Sequence, residues 1–143
     1  IESSRRECSS APARILDLGS GSGALLCAFL AEYPSASGVA VDLSASACAA
    51  TRSNLQACGF AGRSIVHQGS WFEPTEGRFD LIVSNPPYIR SADIAGLPLE
   101  VRAHDPHLAL DGGADGLGAY KAIFAGARDA LAAKGAIVVE FGA

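Results

Sequence analysis

Residues 13–19, Ala-Arg-Ile-Leu-Asp-Leu-Gly, form a short apolar run that empties into Gly19, Gly21 and Gly23, three glycines within five residues. Behind them, residues 22–34 have apolar spacing and length suited to a helix, closed by Pro34. A buried strand, a glycine turn and a helix are the opening of a βαβ unit, and the pattern repeats. Strands are read at 38–42, 63–69, 78–85 and 136–142, and helices at 44–59 and 116–135. Ser44 is the expected N-cap of the second helix, Gly59 its stop, and Gly135 the stop of the last. Strands alternating with helices imply crossovers, so the fold class is α/β, with a mostly parallel twisted sheet and helices on both faces. Residues 89–115 are too long for a mere connection, which points to a functional loop.

A chain of 143 residues that is 49% hydrophobic and 18% charged can bury the core such a sheet needs. Its net charge is −4, and Arg5-Arg6 is the only basic doublet, which argues against a nucleic-acid partner. Cys8, Cys27, Cys48 and Cys58 show no C-x-x-C spacing, so they read as reduced thiols rather than a disulfide framework or zinc site. No apolar run reaches membrane-spanning length and no signal peptide is recognised, so the expectation is a cytoplasmic protein without a membrane partner, acting as a monomer.

The glycine loop lies at the C-terminal edge of the first strand, where ligands of open α/β sheets bind. The glycines let a ligand approach the backbone at a helix N-terminus. Asp42 ends the second strand about twenty residues on, where an acid commonly grips ribose hydroxyls. Gly19, Gly21 and Ala24 also satisfy the loose dinucleotide pattern, so an NAD-type module is one reading. Asp17 decides against it. A carboxylate two places before the loop repels a pyrophosphate but suits a cofactor carrying an ammonium and a sulfonium, such as S-adenosylmethionine. The plainer alternative is that Asp17 caps local backbone and the glycines merely turn the chain; the joint register of Asp17, the glycines and Asp42 favours the cofactor. Asp17, Gly19, Ser20, Gly21, Gly23 and Asp42 are therefore the expected cofactor residues.

The fourth strand leaves the sheet through Asn85-Pro86-Pro87-Tyr88. Consecutive prolines end sheet pairing and stiffen the chain. A planar –NH2 is a poor nucleophile, because its lone pair is delocalised. Two fixed acceptors, the Asn85 side-chain oxygen and the Pro86 carbonyl, can hold both N–H bonds while the nitrogen turns pyramidal toward a methyl donor. Tyr88 offers a face for the planar group to stack on. Asn85, Pro86 and Tyr88 are the expected catalytic residues, and Asn85, Pro86, Pro87 and Tyr88 the substrate contacts. Adenine N6, guanine N2 and glutamine N5 all fit this clamp, so the tetrapeptide alone does not choose among them.

"DLGSGSG", "VAVD" and "SNPPY" together resemble class I methyltransferases that modify planar nitrogens, and residues 100–120, "EVRAHDPHLALDGGADGLGAY", resemble the tract that follows the tetrapeptide in peptide chain release factor N5-glutamine methyltransferases. "GSWFEP" and "VVEFG" fit the same family, and the likeness runs from about Arg14 onward. The resemblance implies a Rossmann-like class I methyltransferase fold and S-adenosylmethionine as cofactor, leaving S-adenosylhomocysteine. It also implies contacts at Gly19 to Gly23, Asp42, Trp71 and Asn85, with the Gly-Gly-Gln loop of a release factor as substrate. Spacing alone leaves Trp71 divided between packing and stacking on adenine; the resemblance favours the cofactor. The rivals are glutamine methylation of a ribosomal protein and base-amine methylation of RNA or DNA.

The chain departs from the family pattern in three places. Ser70 stands where many members have an acid, and neither the N-terminal helical domain nor the closing antiparallel strands are recognised. Residues 1–12 are accordingly expected to be a linker or the remnant of a preceding domain. Residues 13–143 are expected to be a C-terminally truncated catalytic domain. His104 and His107 bracket Asp105-Pro106 without the third and fourth ligands a metal needs, so no metal is expected. His67 reads as structural, and Glu140, an acid in an apolar strand, is left outside the site.

Overall fold

The computed structural model describes residues 11–98 and 107–141. Its sheet has five strands: β1 (Arg14–Leu18), β2 (Ser37–Asp42), β3 (Ser64–Gln68), β4 (Phe79–Ser84) and β5 (Leu131–Val139). The order is β3-β2-β1-β4-β5, and every pairing is parallel. Helix α1 (Ala24–Glu32) follows β1, α2 (Ala45–Ala57) follows β2, the short α3 (His107–Leu110) lies in the long loop, and α4 (Gly118–Ala130) precedes β5. From β1 the chain steps outward one way through β2 and β3, then returns to place β4 on the other side of β1. That reversal brings the C-terminal ends of β1 and β4 side by side, with Leu18 opposite Ser84.

Successive side chains of a strand point to opposite faces, and the core divides accordingly. Ile15, Ala40, Leu81 and Val83 pack with Leu26, Phe29 and Leu30 of α1 and Leu55 of α2. Leu16, Leu18, Val41, Phe79 and Ile82 pack with Ile123, Ala127 and Ala130 of α4. Each large apolar side chain so buried contributes about 1.5–3 kcal/mol. Together they outweigh the cost of the few polar groups taken inside with them.

The helix ends have specific partners. Ser44 caps α2 by accepting the Ala47 N–H at 3.3 Å, and Gly59 ends it with φ +78°. At the far end of α1 the Arg63 guanidinium donates to the carbonyls of Leu30, Tyr33 and Ala36 at 2.5, 3.2 and 2.6 Å. The start of α1 has no capping side chain of its own: Gly23 holds the N-cap at φ +77°.

Three boundaries differ from the sequence expectation by three residues or more. The last helix ends at Ala130, not Gly135, and the last strand begins at Leu131 and stops at Val139, short of Gly142. Ala132, Ala133 and Lys134 favour a helix by propensity, but they lie in an irregular stretch of the strand between two residues that pair with β4, Leu131 and Ala136, and that anchoring on both sides overrides it. Arg78 Nη1 donates to Leu131 O at 2.7 Å, and the ladder jumps from Phe79–Leu131 to Leu81–Ala136. Gly135 is a close-approach residue rather than a helix stop: a Cβ there would stand 2.8 Å from Phe79 O. Glu140 lies past the strand, exposed, with its N–H donating to Ser84 O at 3.0 Å.

Residues 89–115 are organised where they are described, by a 3₁₀ turn at Ser91–Gly96, α3, and a parallel bridge between Ile89 and Asp111. His104 and the Glu100-Val101-Arg102 motif lie outside the described residues. Among the described residues, no group of three His, Cys, Asp or Glu side chains stands together as a metal site. No helix among them is long and apolar enough to cross a membrane.

Candidate active site

The glycine loop is folded over the end of β2. Gly19 and Ser20 both donate their N–H to Val41 O, at 2.8 and 3.1 Å. Gly19 and Gly21 have φ of +68° and +55°, with nothing within 4 Å of where a Cβ would sit. Glycine is required there by the backbone turn, not by crowding. At Gly23 both demands apply, because a Cβ would meet Thr51 Cγ2 at 2.8 Å.

Helix α2 grips the loop from behind. Thr51, fully buried, donates its one hydroxyl proton to Gly21 O at 3.0 Å, so the 3.1 Å contact with Ser20 must be donated by the Ser20 hydroxyl. Asn54 Nδ2 donates to Ser22 O at 2.8 Å. Asp42 joins the two elements, accepting Gly21 N–H on Oδ2 at 2.8 Å and Ser44 N–H on Oδ1 at 2.9 Å. A carboxylate has about four acceptor sites, so these bonds leave Asp42 capacity toward the cleft it borders.

Asp17 lies on the α1 face of β1, only 1% exposed. Its Oδ2 accepts the Leu26 N–H at 3.2 Å, which supplies from a neighbouring strand the cap that Gly23 lacks. Its Oδ1 is buried with no hydrogen-bond partner among the described residues. Burial pushes this carboxyl from 3.8 up to about 7; the Leu26 N–H opposes the rise and the charge of Asp42 adds to it.

Beside the loop, Ser84 donates its buried hydroxyl to Leu18 O at 2.7 Å and locks the ends of β4 and β1 together. Asn85 follows, exposed, while Pro86 is buried and Pro87 half-buried. Tyr88 is 41% exposed. Two clefts meet here. The larger, about 510 Å³, runs along Gly19, Gly21, Asp42, Trp71, Asn85 and Pro87. The smaller, about 350 Å³, is bordered by Ser20, Leu25, Pro86 and Tyr88, and it shares Gly19, Gly21, Ser22, Asn85 and Ala109 with the first. Asn85 therefore stands between a cleft of cofactor size and a second cleft opening on the proline exit.

The structure thus brings most of the sequence-expected residues to one strand edge. Asp17 and Gly23 border neither cleft and lie beneath the loop instead. Trp71 packs against the α4 side of the core and also borders the large cleft, with φ +46°. Ser70 borders the same cleft. The sequence reading missed Leu43, Ser44 and Ala47 on the cleft wall, and Thr51 beneath the loop. An apolar residue directly after the strand-end acid was a signal for Leu43, which is exposed next to Asp42. Ala109 carries no signal of its own, because only the folding of the long loop brings it to the cleft.

An open parallel sheet whose reversal point carries a glycine loop, a strand-end acid and a second cleft is the Rossmann-like class I methyltransferase fold. The chain is similar in fold to an S-adenosylmethionine-dependent methyltransferase of Geobacter sulfurreducens solved with S-adenosyl-L-homocysteine, at TM-score 0.55 and 21% identity, over 89% of this chain and 41% of that one. The methyltransferase small domain family matches residues 6–97, and the chain belongs to that family. Over 142 residues it is 50% identical to the release factor glutamine methyltransferase of Bradyrhizobium diazoefficiens, covering 99% of this chain and 48% of that protein. Over 129 residues it is 50% identical to the protein of the same name from Rhodospirillum rubrum, covering 90% of this chain and 40% of that protein. The chain spans about half the length of the curated relatives it matches. Family membership sets aside the NAD-type module.

Proposed function

We propose that residues 13–143 form the catalytic domain of an S-adenosylmethionine-dependent protein methyltransferase. The substrate is the side-chain nitrogen of the glutamine in the Gly-Gly-Gln loop of a peptide chain release factor. The observation that carries the reading is the position of Asn85 where the two clefts meet, with Pro86 beside it on the smaller cleft. The names of the relatives favour a release factor over a ribosomal protein or a nucleic-acid base, and the lack of a basic cluster agrees. On this reading the protein works in the cytoplasm as a monomer, without membrane or direct nucleic-acid contact.

The residues present fit the cofactor. A buried carboxylate oxygen without a partner, in Asp17, suits a cation, and Asp42 keeps acceptor sites at the cleft for ribose hydroxyls. The glycine loop, Asp42 and Trp71 would hold the nucleoside part, with Asp17 acting on the ammonium from beneath. When bound, S-adenosylmethionine supplies an electrophilic methyl group. The chain's own residues do the rest. Asn85 Oδ1 and the Pro86 carbonyl accept the two N–H bonds of the glutamine amide, and this draws the nitrogen out of conjugation. Pro86 and Pro87 hold those acceptors rigid, so little reorganisation is needed when the nitrogen attacks. Tyr88 covers the amide plane. The nitrogen becomes acidic once methylated, so its proton leaves without a strong base being built in beforehand.

The test uses the whole protein that contains this chain, a release factor and S-adenosylmethionine labelled in the methyl group. Label should enter the release factor, and a Gln→Ala change in its Gly-Gly-Gln loop should abolish it. Label persisting in that variant, or entering RNA or DNA instead, refutes the substrate.

A further inference from the structure

The Asn85–Tyr88 exit is held from its first side by Pro86 and Pro87, whose φ angles are fixed. Its second side ends in Tyr88, whose side chain makes no hydrogen bond among the described residues. Its placement therefore depends on its backbone. That backbone is clasped by residues 110–118. Ile89 donates its N–H to Leu110 O at 3.1 Å, and Gly112 returns its N–H to Ile89 O at 2.7 Å. Ser91 donates its N–H to Gly113 O at 3.0 Å and its hydroxyl to Asp111 Oδ1 at 2.6 Å. The same Oδ1 accepts the Gly113 N–H at 2.9 Å.

The fit is close enough to exclude a methyl group. A Cβ on Gly112 would lie 2.8 Å from Tyr88 Cα, and one on Gly116, where φ is +74°, would lie 2.5 Å from Tyr88 O. Ala109, immediately before this segment, borders both clefts. We propose that Asp111, Gly112 and Gly116 are positioning residues, which set Tyr88 and the Pro86 carbonyl against the substrate amide by clasping the chain behind them. The inference rests on the methyl-transfer reading and adds to it a part for the D-G-G-x-x-G tract. A carbonyl and a ring must both meet one planar group, and two prolines alone fix only one end of the segment that carries them.

The experiment compares Gly116→Ala, Asp111→Ala, Asp111→Asn and Gly59→Ala in the whole protein. Gly59 shares the strained backbone, with φ +78°, but a Cβ there meets nothing within 4 Å. Turnover on the release factor, the Kd of S-adenosylhomocysteine by calorimetry, and the thermal midpoint are read for each. Gly116→Ala should lose about a hundredfold in kcat, the scale of an ångström-sized misplacement. Its cofactor Kd should stay within about threefold of the parent, because only interactions specific to the transition state are lost. Asp111→Ala should lose turnover in the same way. Asp111→Asn, which keeps an oxygen to accept both N–H and O–H, should recover most of it. Gly59→Ala should lose thermal stability but not turnover. Variants at 111 and 116 that lose no more kcat than Gly59→Ala overturn the proposal, as does a cofactor Kd that rises in step with the fall in kcat. A parent protein that transfers no methyl group to the release factor overturns the methyl-transfer reading itself, and the inference with it.

Discussion

Asp17 links cofactor affinity to pH. In the empty protein its carboxyl titrates at about 7 rather than 3.8, mainly because it is buried. A difference of about 3 units corresponds to about 4 kcal/mol spent in holding the group ionised. An ammonium brought to that carboxyl favours the ionised form, so binding and proton release are coupled. The sign follows directly: below pH 7 the empty site holds a proton that the cation must displace, and above it the site is already charged. The Kd of S-adenosylhomocysteine should be about tenfold weaker at pH 6 than at pH 8, with about 0.9 proton released per binding event at pH 6 and about 0.1 at pH 8. Calorimetry in two buffers of different ionisation enthalpy measures both quantities. Asp42 and Cys27 are the titratable neighbours that interact with Asp17. The Cys27 thiol, raised to about 11 chiefly by burial, is neutral throughout this range and does not mimic the effect.

Asp17→Asn separates this coupling from any general pH effect. The variant should bind more weakly at pH 8 and show no slope. In the empty protein the stability sign is the reverse of the usual carboxylate. The folded chain holds this proton more tightly than the unfolded chain, so the contribution is full below about pH 3.8 and lost as pH rises to about 7. The stability of Asp17→Asn relative to the parent should therefore improve by up to about 4 kcal/mol between pH 4 and pH 8, whatever offset its amide introduces. Affinity that is flat from pH 6 to pH 8, proton uptake on binding, or the same slope in Asp17→Asn would refute the reasoning.

Asn85→Ala should leave the calorimetric Kd of S-adenosylhomocysteine nearly unchanged while kcat falls about 10²–10³-fold, the loss expected for one preorganised polar contact at the reacting group. Thr51→Val removes the hydroxyl that holds Gly21 O and leaves Ser20 without its acceptor; denaturant unfolding should show a loss of about 1–3 kcal/mol, and cofactor affinity should drop with it. Arg63→Ala removes the guanidinium from the Leu30 and Ala36 carbonyls, leaves the Tyr33 carbonyl with the Ala36 N–H, and strips the cation from the Phe60 ring, 4.6 Å away; it should cost about 2 kcal/mol of stability and leave kcat intact.

How much of this could be read from the sequence follows from where each contact originates. Strands buried on both faces are near-continuous apolar runs, so Leu81-Ile82-Val83 and Ile15-Leu16 declared themselves. The end of α4 did not, because Ala132-Ala133-Lys134 is a helical stretch locally and is drawn into the strand only because Leu131 before it and Ala136 after it pair with β4. The same division holds in the site. Gly19, Asp42 and Asn85 each follow or end a parallel strand, and topology alone gathers such residues on one edge. Thr51 and Ala109 reach that edge by the packing of a helix and of a long loop, which no local pattern encodes. Asp17 was legible as an acid that suits a cation or as a cap on local backbone, but not as a residue that caps α1 with one oxygen while keeping the other unpartnered.

Among the described residues, the buried polar side chains are Asp17, Ser20, Thr51 and Ser84. Every one of them borders the glycine loop or ties β4 to β1. A fold built only for stability would place apolar residues there, because each buried polar group costs free energy unless it is paired. All four have partners, and the hydrogen bonds of Ser20, Thr51 and Ser84 fix the loop and the exit strand relative to each other. The fourth, Asp17, is left short of one partner. The uncompensated cost in this core therefore falls on the carboxylate that the proposed cofactor's ammonium would stabilise, and that is why the empty protein should be least comfortable at the pH where it binds best.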